Sequence, residues 1–276
     1  MSRPLIALVL LSLVAGCARA ASVPSPVPAE SPSAAGPAAA SVQPQAAERL
    51  VGESAARPAP PEIPARYRPA LVDDYCIDRD LPATIPDDPA LTVLDRSYAL
   101  PPTFVPDDLV PASDAGFTGS SGAMQVSGAL IADLAALRAA SAAEGLALEV
   151  ESGYRSYDDQ LATYADWVDR IGVEGAAART ARAGHSEHQL GTAIDFVSPG
   201  WSGRFGDWAV ESAEGAWVAE HGWEYGFVMS YRADDLEASC YGYEPWHYRW
   251  IGREAAAAHR AGGGALREFL AGYAGG

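Results

Sequence analysis

Between Ala18 and about Pro64 the chain is built from Ala, Pro, Ser and Glu, with almost no large apolar side chain. Such a stretch cannot bury enough apolar surface to offset the entropy lost on ordering it. A collapsed alanine-rich helix is opposed by Pro24, Pro26, Pro28, Pro32 and Pro37, each of which removes an amide donor and clashes with the preceding turn. Residues 17–65 are therefore expected to be a disordered linker, which leaves residues 66–276 to form the folded domain. Apolar residues make up 49% of the 276-residue chain, enough to supply that domain with a core. The 36 acidic residues outnumber the 19 basic ones, for a net charge of −17, and no lysine is present. This balance argues against non-specific nucleic-acid binding, which needs clustered cations. It also excludes a lysine nucleophile and a lysine phosphate cradle.

The first residues read as an address. Arg3 precedes an apolar run, Leu5 to Ala15, that falls short of the roughly 20 residues a membrane-spanning helix requires. A signal peptide over residues 1–16 is expected. Its end, Val14-Ala15-Gly16-Cys17, resembles the lipobox of bacterial lipoprotein precursors, in which the chain is cut before the cysteine and the thiol is lipidated. The resemblance implies an exported protein held by Cys17 on the outer face of the bacterial cell membrane. The other reading is an ordinary secretion signal with an incidental cysteine. Cys76 and Cys240 remain; in an oxidising compartment they form either one disulfide or two free buried thiols.

The pattern from about Tyr67 to Tyr273 alternates helix and strand signals. Leu130, Leu134 and Leu137 recur at helical spacing before Glu144-Gly145, and a short strand is expected over Leu146–Val150. Leu161, Tyr164, Ala165, Val168 and Ile171 form an i, i+3, i+4, i+7 stripe, which predicts a helix from about Asp158. Ala193–Val197 reads as a strand, and Ser212 as the cap of a helix running to His221 and closed by Gly222. Two further strands are expected over Tyr225–Tyr231 and Tyr243–Trp250. The fold class is α+β, a small antiparallel sheet with flanking helices.

Three stretches carry the chemistry. Ser186-Glu187-His188-Gln189-Leu190-Gly191-Thr192-Ala193-Ile194-Asp195 has the form S-x-H-x-x-G-x-A-x-D, and Glu244-Pro245-Trp246-His247-Tyr248-Arg249 supplies a second imidazole. A hydrolytic zinc takes three protein ligands, keeps one position open for water and makes that water acidic. His188, Asp195 and His247 can supply the ligands, and Glu244 can act as the base. Glu244 and His247 lie three apart, so a regular strand would point them to opposite faces; Pro245 offers a bend. The third stretch, Ser152-Gly153-Tyr154-Arg155-Ser156-Tyr157, puts an arginine at a strand-to-helix junction. There it can stabilise an oxyanion, or simply pair with Asp158 or Asp159.

In this order the three stretches resemble the VanY-type zinc D-alanyl-D-alanine carboxypeptidases of the LAS group. Val93–Pro101, Val105–Val110 and Tyr225-Gly226-Phe227 add to the likeness, which covers about Leu91 to Gly252. The resemblance implies one zinc ion on His188, Asp195 and His247, with Glu244 as the catalytic acid/base and Arg155 stabilising charge on the substrate carbonyl. Ser186 and Gln160 are expected in the substrate cleft, and Trp246 as an apolar wall or a core aromatic. His185, His221 and His259 match no ligand position. Ser230-Tyr231-Arg232, and the stretch through Asp234, Asp235 and Cys240, depart from the family pattern.

The implied activity is hydrolysis of the C-terminal D-alanine from peptidoglycan stem peptides. Its rivals are L,D-carboxypeptidase, dipeptidase or endopeptidase action on the same polymer, and a non-catalytic, zinc-containing cell-wall-binding module. The implied partners are the stem peptide, and the membrane only through the lipid anchor.

Overall fold

The computed structural model describes Cys76, Asp78, Arg79 and residues 81–273. The expected signal peptide, Cys17 and the whole of the expected linker lie outside these residues. No described helix is long and apolar enough to cross a membrane.

A short hairpin comes first. Strand β1 (Leu109–Pro111) pairs antiparallel with β2 (Gln125–Ser127), and helix α1 (Gly119–Ala123) lies between them. Helix α2 (Ile131–Ala143) follows and buries Leu134 and Leu137, as the leucine spacing predicts. Strand β3 (Glu149–Ser152) begins three residues later than expected, after which α3 (Tyr157–Ala177) starts at the Ser156 cap. Strand β4 (Ala193–Val197) matches its expected span. Helices α4 (Trp208–Glu211) and α5 (Ala213–His221) come next, with the Ser212 hydroxyl accepting from the Gly215 amide at 2.9 Å. Strand β5 (Phe227–Met229), α6 (Leu236–Ser239), β6 (His247–Trp250), α7 (Arg253–Gly262) and α8 (Leu266–Tyr273) complete the order.

The four longer-range strands form one antiparallel sheet in the order β3-β4-β6-β5. Side chains alternate across a strand, so its two central members sort their residues by face. Ile194, Phe196 and Tyr248 turn to the main core, where Leu130, Leu134, Leu137, Trp208 and Phe227 pack. Asp195, His247 and Arg249 share the opposite face, and Asp195 sits directly across from His247. The register that buries the core therefore also assembles the polar face.

Two local features depart from the simplest pattern. The α3 stripe is not the buried face: Leu161 is 53% exposed and Ile171 44%, while Gln160 and Ala176 are the buried side chains. The helix is held near its two ends, and periodicity cannot say which face meets the protein. Strand β6 is also shorter than Tyr243–Trp250, because Glu244 to His247 form a turn: the His247 amide donates to the Glu244 carbonyl at 3.1 Å. Pro245 occupies the second turn position, which its ring pre-sets.

Cys76 and Cys240 form a disulfide, with Cα atoms 5.1 Å apart across 164 residues. Cys240 ends α6 in the left-handed region (φ 64°), the one non-glycine residue to do so among those described.

Candidate metal centre and active site

His188 rides on a 3-10 turn, Glu187–Leu190, which starts at the Ser186 cap and stops at Gly191. Gly191 has φ 73°, a conformation that favours glycine, and a Cβ there would come within 3.2 Å of Leu109 and Pro106. The glycine of the motif thus ends the turn so that β4 can begin and bring Asp195 back beneath His188. Gly153 has a different reason. A Cβ at this position would lie 2.3 Å from the Gln125 carbonyl, so only glycine lets the chain after β3 pass β2. The carbonyl of Gly153 then accepts from His188 Nδ1 at 2.6 Å.

That bond fixes the His188 tautomer: the proton is on Nδ1 and the Nε2 lone pair points inward, 3.3 Å from Asp195 Oδ2. His247 is oriented the other way. Its Nε2–H donates to Glu187 Oε2 at 2.9 Å, and its Nδ1 faces Asp195 Oδ1 at 3.0 Å. One ligand atom from each of His188, Asp195 and His247 lies within 4.8 Å of the others, the one such group among the described residues. Both imidazoles therefore spend their outer nitrogens on protein acceptors and offer the inner ones beside a carboxylate. This donor set, with its outer partners already in place, fits a single divalent cation that accepts nitrogen and oxygen ligands.

The titration of the three groups is set by burial and by one another. Burial alone would raise the Asp195 carboxyl, yet the charges and hydrogen bonds of His188 and His247 hold it far below the usual range. Burial lowers the His188 imidazole, favouring its neutral, ligating form. Burial opposes charge on His247 as well, but its bonds to Asp195 and Glu187 push it up to about 10.

Glu244 stands beside this cluster without belonging to it, its Oε2 4.0 Å from His247 Nδ1. Burial pushes its carboxyl up to about 8, against the pull of His247 and Arg155. A carboxyl that gains and loses its proton near neutrality suits acid–base work. Arg155 follows β3, and its amide donates to the His188 carbonyl at 3.2 Å, which ties it to the ligand turn. Its guanidinium donates to Gln160 Oε1 at 2.8 Å and to Ser152 Oγ at 3.3 Å, and no bond joins it to Asp158 or Asp159.

The remaining expected residues are placed as follows. Gln160 is fully buried; its amide nitrogen donates to Thr180 and Ala181, so it reaches the site only through Arg155 and does not line a cleft. Ser186 is buried, and its hydroxyl accepts from the His188 amide at 3.4 Å. Trp246 packs partly on the main core and meets Phe205 edge-on, ring centres 5.6 Å apart. His185 bonds the Asp95 carbonyl, His221 pairs with Glu224 and His259 bonds the Gly264 carbonyl, all away from the ligand cluster.

Sequence reasoning missed the residues behind His247. Glu187 was visible inside the S-x-H motif, but a single carboxylate next to a histidine reads as a solvated charge. Arg249 on β6 and Ser230 just after β5, its buried partners, are distant in sequence and leave no local signal.

An antiparallel sheet presenting one imidazole and a carboxylate, with a second imidazole on the preceding turn and a separate acid and an arginine alongside, defines a single-cation metallopeptidase type of site. Residues 123–253 match the VanY family, described as D-alanyl-D-alanine carboxypeptidase. The chain belongs to that VanY family. YodJ of Bacillus subtilis (strain 168) is 33% identical over 167 residues, 60% of this chain and 61% of its own length. The structure of the LD-carboxypeptidase LdcB aligns with a TM-score of 0.61 and 30% identity, covering 69% of this chain and 89% of that one. A mutant of the vancomycin-resistance D,D-pentapeptidase VanY from a VanB-type cassette, in complex with Zn(II), aligns at TM-score 0.55 and 27% identity, covering 66% and 99%. The chain spans between 35% and 61% of the length of the curated relatives it matches.

Proposed function

We propose that this chain is a zinc-dependent carboxypeptidase that removes the C-terminal D-alanine from peptidoglycan stem peptides. The observation that carries the reading is Glu244: a carboxyl 4.0 Å from one histidine of the ligand cluster, outside the set that holds the cation. A cell-wall binder that merely kept its metal has no use for such a group.

His188, Asp195 and His247 would hold the ion, and zinc bound there would make water more acidic and polarise a carbonyl. Glu244 takes a proton from the attacking water and passes it to the nitrogen of the departing D-alanine. The hydroxyl ends on the carbonyl carbon as the C–N bond breaks, so water is consumed and two carboxyl-terminated products leave. Arg155, held by Gln160 and Ser152, presents its guanidinium to the oxygen on which negative charge develops. Ser186 acts on the site by capping the His188 turn, and Trp246, edge-on to Phe205, supplies an apolar wall.

One observation favours a second bond on the same polymer. The likeness to the LD-carboxypeptidase LdcB is at least as good as that to VanY. Incubation with pentapeptide and tetrapeptide stems, read by mass, separates the two: loss of D-alanine from the pentapeptide alone supports the D,D reading, and loss from the tetrapeptide the L,D one.

The same reading places the enzyme outside the cell. A lipid on Cys17 and a linker up to residue 65 would let a domain spanning residues 66–276 work in the wall above the membrane. Labelling with a fatty-acid probe, lost in a Cys17→Ser variant, tests the anchor.

A further inference from the structure

Glu187 is 5% exposed, yet it is a carboxylate with three polar contacts. Oε2 accepts from His247 Nε2 at 2.9 Å and from the Ser230 hydroxyl at 2.6 Å. Oε1 accepts from Arg249 Nη1 at 2.9 Å. Arg249 is itself fully buried, and its Nη2 donates to the carbonyls of Pro89, Ala90 and Thr92 at 2.7, 3.3 and 3.0 Å. A segment far back in sequence thus pins the arginine, the arginine pins the glutamate, and the glutamate meets the histidine. The His247 ring also lies between Tyr231 and His188, with ring centres 5.0 and 4.9 Å away. Those contacts fix the plane of the ring but not which nitrogen faces Asp195; only the Nε2 bond decides that.

A buried ion pair is a poor way to gain stability, because desolvation costs about as much as the attraction returns. It is a good way to hold a ligand, since an imidazole that donates its outer proton to a carboxylate is fixed in tautomer and made more basic. Arg249 balances the Glu187 charge, so the ring gains this support without extra net charge in the core. We propose that Glu187 is a positioning residue for the cation site: it holds His247 so that Nδ1 faces the ion, while Arg249 and Ser230 hold Glu187. The proposal rests on the metallopeptidase reading for the presence of the ion.

The test is zinc affinity, measured by competition with a chromophoric chelator on the full chain. Glu187→Gln is expected to weaken zinc binding about 10- to 100-fold. The visible bands of the cobalt(II)-substituted protein should shift with it, while the zinc-free protein melts as a folded domain. A Glu187→Gln protein that binds zinc as tightly as the wild type overturns the proposal. Should that variant fail to fold, Ser230→Ala, which removes one bond to the same oxygen, decides: weaker zinc binding supports the proposal and unchanged binding overturns it. Failure of the underlying reading looks different, because the wild-type protein itself would then take up no zinc.

Discussion

The His247 amide donates to the Glu244 carbonyl at 3.1 Å, closing a turn over Pro245 that brings both side chains to one side of the sheet. An uninterrupted strand would have separated them, so this bond makes the proposed base and a proposed ligand neighbours. Glu244→Gln keeps the shape and removes the proton acceptor. Hydrolysis is expected to fall by about 10²- to 10⁴-fold with zinc content unchanged, read from released D-alanine and metal analysis of the same sample. Undiminished turnover would falsify the role.

Arg155 and Gln160 should separate by size of effect. Arg155→Ala removes the cation proposed to face the developing charge and is expected to lower kcat/KM by about 10²- to 10³-fold. Gln160→Leu leaves the guanidinium in place but removes its 2.8 Å acceptor. A loss of about tenfold is expected, equivalent to one hydrogen bond to a charged group. Equal losses in steady-state kinetics would contradict the placement of Gln160 behind Arg155.

The Cys76–Cys240 bridge closes a loop across 164 residues. On chain entropy alone a loop of this size contributes about 5 kcal/mol, a large share of the stability of an ordinary domain. A Cys76→Ser/Cys240→Ser protein, or the wild type under reductant, is expected to melt many degrees lower in calorimetry. An unchanged Tm would show that other contacts already hold this end of the domain.

His185 gives the acid side of the stability profile its sign. Burial depresses its pKa below the ordinary 6.5, its ring bonded to the Asp95 carbonyl at 2.6 Å and Arg182 adding to the depression. The folded protein keeps it neutral, whereas the unfolded chain takes up a proton below 6.5. Stability is therefore full above that value and falls as pH drops through it. His185→Gln, which still donates to the carbonyl, should flatten the decline in Tm between about pH 7.5 and about pH 5. A variant with the same slope as the wild type would remove His185 from the account.

Much of the site is legible in the linear chain because its constraints are local. The cap, turn and strand from Ser186 to Asp195 follow from residue type and spacing, and Gly191 marks where the turn must end. The Glu-Pro-Trp-His order already contains the turn that joins the proposed base to the proposed ligand. The composition of residues 18–64 likewise set the expectation that the core lies downstream. Three things waited on the tertiary structure. Which face of α3 is buried depended on what packs against it, and the answer was Gln160 rather than the apolar stripe. The partner of Arg155 was chosen by distance in space, not along the chain. The support behind His247 joins Pro89, Glu187, Ser230 and Arg249, four parts of the chain that meet only when β6 is paired. Periodicity and turn chemistry act over a few residues, so they could name the ligands; burial and long-range pairing decide which charges stand behind them.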